Sequence, residues 1–248
     1  MRFEILLGIT AVFLSACDRE DKRPFSPSVF PVSIVSEEPP APPPKTQTAQ
    51  EPVESPKPTH AYILAGQSNM SRQCGGSDQR YTAPPGCSTG EALGKLFTEP
   101  NALFVQCAVG GTEMSRWIVG GDLYGRCVGS VPNGIPVKGI FFFQGESDAI
   151  NGLSVPDWSD AFATMVSGFR GRFGSTLPVV FAQIGSGRSD QNWIAIQQEQ
   201  ESVSLPYCSM VKTSDIPPDD GVHFTQESYY EIAQRMKREF DALGGAKP

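Results

Sequence analysis

The chain has 248 residues, a formal net charge of −7 and no run of basic residues. That balance excludes the electrostatic footprint of a nucleic-acid binder or of a protein held by charge on an anionic surface. The two histidines, His60 and His223, are far apart, and no pair among the six cysteines has the CxxC spacing. Neither a metal centre nor a cofactor is therefore expected.

In chain order, Met1-Arg2 is followed by an apolar run from Ile5 to Phe13 and then by Leu14-Ser15-Ala16-Cys17. One positive charge, a short apolar stretch and small residues before a break make a secretory signal over residues 1–16. The run is too short to cross a bilayer as a helix, which takes about 20 residues. Leu-Ser-Ala-Cys resembles the lipobox of bacterial lipoproteins, and the resemblance implies a lipid on Cys17 that anchors the chain to a membrane. Asp18 is similar to the inner-membrane retention signal of such proteins, so a periplasm-facing place in the cell envelope is expected. Residues 17–58 are rich in proline, with Pro39-Pro40 and Pro42-Pro43-Pro44 among Ser, Glu, Lys and Gln. Such a segment has little to bury and favours extended conformations, so it reads as a tether.

Residues 59–248 are long enough for one domain with a substantial core. Apolar runs at Ala61–Ala65, Ala102–Val109, Gly139–Phe143, Leu177–Ile184 and Tyr207–Val211 read as buried strands, and most end at glycine. Helical patterns fall between them. Trp158, Phe162, Met165, Phe169 and Phe173 make one apolar stripe, residues 194–201 suggest a second helix, and Tyr229, Ile232, Met236, Phe240 and Leu243 follow a cap at Thr225. Strands alternating with helices predict an α/β three-layer sandwich around a mostly parallel, doubly wound sheet. With Cys17 lipidated, Cys74, Cys87, Cys107, Cys127 and Cys208 remain, so in a monomer at least one is free. Cys74 and Cys87 share a Gly- and Pro-rich loop and are the expected bridge.

Ligands of such a sheet bind beyond the carboxyl ends of its strands. Four segments sit there: Gly66-Gln67-Ser68-Asn69-Met70, Gly110-Gly111-Thr112, Gln144-Gly145-Glu146-Ser147-Asp148 and Asp220-Gly221-Val222-His223. Together they supply a hydroxyl, glycine N–H groups, a side-chain amide and an Asp/His pair three residues apart. Acyl transfer needs that set: an imidazole to take the serine proton, a carboxylate to orient the imidazole, and donors for the oxyanion. His60 precedes the first strand, at the end opposite Ser68, and is the weaker candidate base.

These four blocks, in this order, resemble the motif blocks of SGNH hydrolases, and within them the sialate O-acetylesterase-like group that includes carbohydrate esterase family 6. The resemblance implies a flavodoxin-like fold and a serine esterase. Ser68 would be the nucleophile at the start of a helix, His223 the general base and then acid, and Asp220 its orienting carboxylate. The oxyanion hole would combine the N–H of Ser68 with one from Gly110 or Gly111 and the side chain of Gln144. Gln67 and Asn69 would support the site, Glu146 and Asp148 would pin their loop or touch substrate, and Asp219, beside Asp220, is the alternative orienter that the three-residue spacing disfavours. Arg116 and Trp117 are open between lining a cleft and packing a helix. Where the acetylesterase branch often carries tryptophans before the third block, this chain has Phe142 and Phe143. The expected partner is an O-acetylated glycan or another small acyl ester. A noncatalytic glycan-binding lipoprotein on the same fold and a short-chain lipase or thioesterase stay open as alternatives.

Overall fold

A computed structural model describes residues 57–71, 88–153 and 155–245. The signal, Cys17, the tether and the expected Cys74–Cys87 bridge lie outside the described residues. Five strands, β1 (His60–Gly66), β2 (Ala102–Gln106), β3 (Val137–Phe143), β4 (Val179–Ala182) and β5 (Cys208–Val211), form one sheet in the order β2-β1-β3-β4-β5. Every pairing is parallel. The chain reverses its direction of travel across the sheet between β1 and β3, which opens a crevice at their carboxyl ends.

The strands read as continuous apolar runs because both faces are covered. On β3, Ile140 and Phe142 face one core while Phe141 and Phe143 face the other, and β1 divides Ala61, Ile63 and Ala65 from Tyr62 and Leu64 in the same way. The first core is closed by α3 (Asp122–Ser130), α5 (Trp158–Phe173) and α6 (Gln191–Ser202). The second is closed by α2 (Thr89–Leu96) and α7 (Gln226–Ala242). The short α1 (Ser68–Ser71) and α4 (Glu146–Asn151) follow β1 and β3 directly. The result is the three-layer α/β sandwich that the strand and helix spacing predicts.

Helix starts are set by side chains that accept from otherwise unpaired N–H groups. Thr225 caps α7 at Ser228 N–H, Asp157 caps α5 at Asp160 N–H, and Asp190 caps α6 at Trp193 N–H. The stripe expected on α5 is the buried one: Trp158 and Phe162 stack with ring centres 5.2 Å apart, and Phe162 meets Phe142 and Phe181 across the sheet. Phe142 and Phe143 are fully buried sheet core, so tryptophan is dispensable there.

Three helices have no counterpart in the periodicity: α2, α3 and α4. In α3, Gly125 and Gly129 weaken the apolar signal, and the helix is held by a disulfide from Cys127 to Cys107 at the end of β2. Cys208 is free and half-buried, and burial pushes its thiol up to about 12, which leaves it protonated and unreactive.

Candidate active site

β1 ends in a turn that only glycine permits. Gly66 has φ +115°, and a Cβ there would lie 2.0 Å from the carbonyl oxygen of Phe143. That close approach of β1 to β3 sets Ser68 at the head of the crevice, half-buried, in the first turn of α1. α1 is only four residues long, too short for a helix dipole to act strongly on the serine.

The other half of the pair comes from the loop before α7. It is closed by Asp219 N–H donating to the carbonyl of His223 (2.7 Å) and by an antiparallel bridge between Pro218 and Phe224. Gly221, with φ +85°, makes the reversal that turns His223 back toward Ser68. His223 Nε2 lies 3.0 Å from Ser68 Oγ, and Nδ1 lies 2.9 Å from an oxygen of Asp220. Asp220 also accepts from the backbone N–H groups of His223 (2.8 Å) and Val222 (3.1 Å). Burial works against its charge, but these hydrogen bonds outweigh burial and hold the carboxyl at about 2. Asp220, rather than its neighbour Asp219, therefore presents an ionised carboxylate to the imidazole. His60 stands at the opposite end of β1, bonded to Thr59 Oγ1 and beside Glu99.

Gly110 and Gly111 are exposed on the loop after β2, and a Cβ on Gly110 would sit 3.6 Å from the Cβ of Ser68. The N–H groups of Ser68, Gly110 and Gly111 donate to no protein acceptor among the described residues. These backbone donors are therefore uncommitted, and Gly110 lies beside Ser68.

Gln144 does not join them. Its side chain is fully buried, its Nε2 donates to Asp148 (2.5 Å) and to the carbonyl of Thr112 (3.1 Å), and its Oε1 accepts from the Trp158 indole (2.9 Å). An amide has two hydrogens, both are committed, and none is left for an oxyanion. The expectation of a third donor at Gln144 is corrected: this residue braces the loop after β2 against β3 and α5. Asp148 completes the brace by accepting from Met114 N–H (2.9 Å), and Gln67 Oε1 accepts from Ser147 N–H (3.2 Å). Trp117 is buried, donating to Thr112 Oγ1 (3.3 Å) and meeting Phe142 edge-on, while Arg116 forks onto Asp122 at the surface. Packing, not a cleft, is the place of Trp117.

A second buried network lies behind the serine. Asn69 Nδ2 donates to Glu146 Oε1 (2.5 Å) and to the carbonyl of Val222 (3.0 Å), and Asn69 Oδ1 accepts from Tyr229 Oη (2.8 Å). Tyr229 Oη in turn accepts from Phe224 N–H (3.4 Å). Glu146 is fully buried with Oε2 unpartnered, and burial, aided by the charge of Asp148, lifts its carboxyl to about 7. Sequence reasoning reached Glu146 and Asn69 as supports but missed Tyr229, Trp158 and the Thr112 and Val222 carbonyls. Both aromatic residues fall on apolar stripes, where nothing in the spacing announces a polar tip.

Residues 78–242 match a family model described as carbohydrate esterase, sialic acid-specific acetylesterase. The chain belongs to that family. The matched span takes in the second, third and fourth motif blocks, and the Ser68 block lies just before it. A probable carbohydrate esterase of Arabidopsis thaliana is 23% identical over 164 residues, which cover 63% of this chain and 62% of that relative's length. An Arabidopsis thaliana structure superposes with a TM-score of 0.64 at 20% identity, over 75% of this chain and 98% of the other. A carbohydrate acetylesterase from Xanthomonas citri gives 0.58 at 19% identity, over 74% and 56%. A lipolytic G-D-S-L family member from Veillonella parvula gives 0.51 at 13%, over 73% and 98%. These structural likenesses establish the SGNH-hydrolase-like fold of the chain.

Proposed function

We propose that this carbohydrate esterase removes O-acetyl groups from a glycan at the cell envelope by serine acyl transfer. The observation that carries the reading is the chain of contacts from Ser68 Oγ to His223 Nε2 (3.0 Å) and from Nδ1 to Asp220 (2.9 Å). As Ser68 Oγ attacks the ester carbonyl, its proton passes to His223 Nε2, and ionised Asp220 stabilises the imidazolium. The oxyanion is received by the N–H of Ser68 and an N–H of the Gly110-Gly111 loop, and collapse expels the sugar alcohol with the proton from His223. A water activated by the same imidazole then releases acetate and restores Ser68. The substrate class follows the family to which the chain belongs, and the resemblance of Leu14-Ser15-Ala16-Cys17 to a lipobox supports a membrane-anchored, periplasm-facing location.

Acetate release from p-nitrophenyl acetate, acetylated xylan, O-acetylated sialic acid and O-acetylated peptidoglycan tests this. Ser68→Ala and His223→Ala should each lose on the order of 10⁵-fold in kcat while unfolding at the wild-type temperature. Retained turnover in Ser68→Ala would overturn the nucleophile. Glycan binding without release by the folded wild type would favour a binding protein, and faster turnover of octanoate than acetate esters would favour a lipase or thioesterase.

A further inference from the structure

We propose that Glu146 is a positioning residue for the acyl-transfer step, acting through the Asn69 carboxamide to hold the His223 loop over Ser68. The proposal rests on the Ser68–His223 reading above. Asn69 is the residue after the nucleophile, and one of its amide hydrogens goes to Glu146 while the other goes to the carbonyl of Val222, the residue before His223. Its oxygen takes the Tyr229 hydroxyl, which also accepts from the N–H of Phe224, the residue after His223. His223 is thus gripped on both sides, at Val222 by the carboxamide itself and at Phe224 through the Tyr229 hydroxyl bonded to it, and Glu146 fixes which way that carboxamide faces. Asn69 and Glu146 are both fully buried, so water cannot substitute for either bond.

The charge of Glu146 sets the strength of the grip. A carboxylate accepts from Asn69 Nδ2 more strongly than a neutral acid does. The titratable group acting on it is Asp148 on its own helix, with Tyr229 beyond Asn69. Among the described residues no lysine or arginine pairs with it. Burial and Asp148 oppose ionisation and bring its titration to about 7, so the grip tightens as pH rises through neutrality.

The test uses the whole chain. In wild type, the Asn69 side-chain amide resonances should move with pH through a midpoint near 7, and in Glu146→Gln that movement should vanish. This readout needs no turnover, so it stands apart from the esterase assignment. On p-nitrophenyl acetate at pH 8, Glu146→Gln should lose about fivefold to tenfold in kcat with KM within about twofold, the ratio expected from replacing a charge-assisted hydrogen bond with a neutral one. Its kcat should also lose one ionisation from the pH profile. Asn69→Ala should lose at least as much, and the double variant should be no worse than Asn69→Ala alone, because the two residues act in series. Additive losses, or wild-type kcat and pH profile in Glu146→Gln, would overturn the proposal. If neither variant folds, Asn69 amide resonances in wild type that do not move with pH would overturn it too.

Discussion

Glu146 and Asp220 are carboxyls whose titrations are pushed in opposite directions by their surroundings. Glu146 is lifted from its ordinary 4.5 to about 7 by burial, so the native state holds its proton more tightly than the unfolded chain does. Its contribution to stability is complete below about pH 4.5 and is lost as pH rises to about 7, a span on the order of 3 kcal/mol. The stability of wild type relative to Glu146→Gln, measured by urea unfolding, should therefore fall between pH 5 and pH 8. Asp220 is depressed to about 2 by its backbone and imidazole hydrogen bonds, so it stays ionised throughout that range. Asp220→Asn should leave the fold intact but reduce kcat on the order of 10⁴-fold, because the amide favours the wrong imidazole tautomer. The residue types and the three-residue spacing of Asp220 and His223 were legible because one short loop carries both. The buried state of Glu146 was not, since it depends on α1, α4 and α7 meeting.

At the scale of elements, the site depends on cores that the apolar pattern specifies well. Phe162 is fully buried on α5, stacked on Trp158, whose indole holds Gln144 in place. Phe162→Ala should destabilise the domain by about 3–5 kcal/mol, read as a lower urea midpoint, and should also weaken turnover through Gln144 and the Thr112 loop. α5 and α7 were readable because 16 and 17 residues give several turns of periodic burial. α4 was not, because its six residues bury Glu146, Ser147, Asp148 and Ala149 in succession, with no apolar stripe to see. The same short helix turns Gln144, expected as an oxyanion donor, inward to Asp148 and Thr112.

Across the whole molecule, the Cys107–Cys127 bridge joins the end of β2, three residues before Gly110, to α3. Closing a loop of 20 residues is worth about 3 kcal/mol in the chain-entropy view. Reduction, or Cys107→Ser with Cys127→Ser, should lower stability by about 2–4 kcal/mol in urea unfolding and loosen the loop that carries the glycine N–H groups. The lipid proposed at Cys17 is tested by metabolic labelling with a radioactive fatty acid: wild type should take up label and Cys17→Ala should not, and unlabelled wild type would overturn it.

By itself the sequence determined the α/β alternation, the parallel sheet and the order of the four motif blocks, and it offered Ser68, Asp220 and His223 as candidates through those blocks. The alternation, the strands and the Asp220–His223 spacing are written locally, in periodicity, in turn glycines or within one loop. The tertiary structure decided which polar groups face solvent and which face each other. It turned Gln144 into a brace, paired Cys107 with Cys127, and joined Asn69, Glu146, Val222 and Tyr229 across as many as 160 residues. Burial and hydrogen-bond partnership are properties of packed elements, and no single segment carries them.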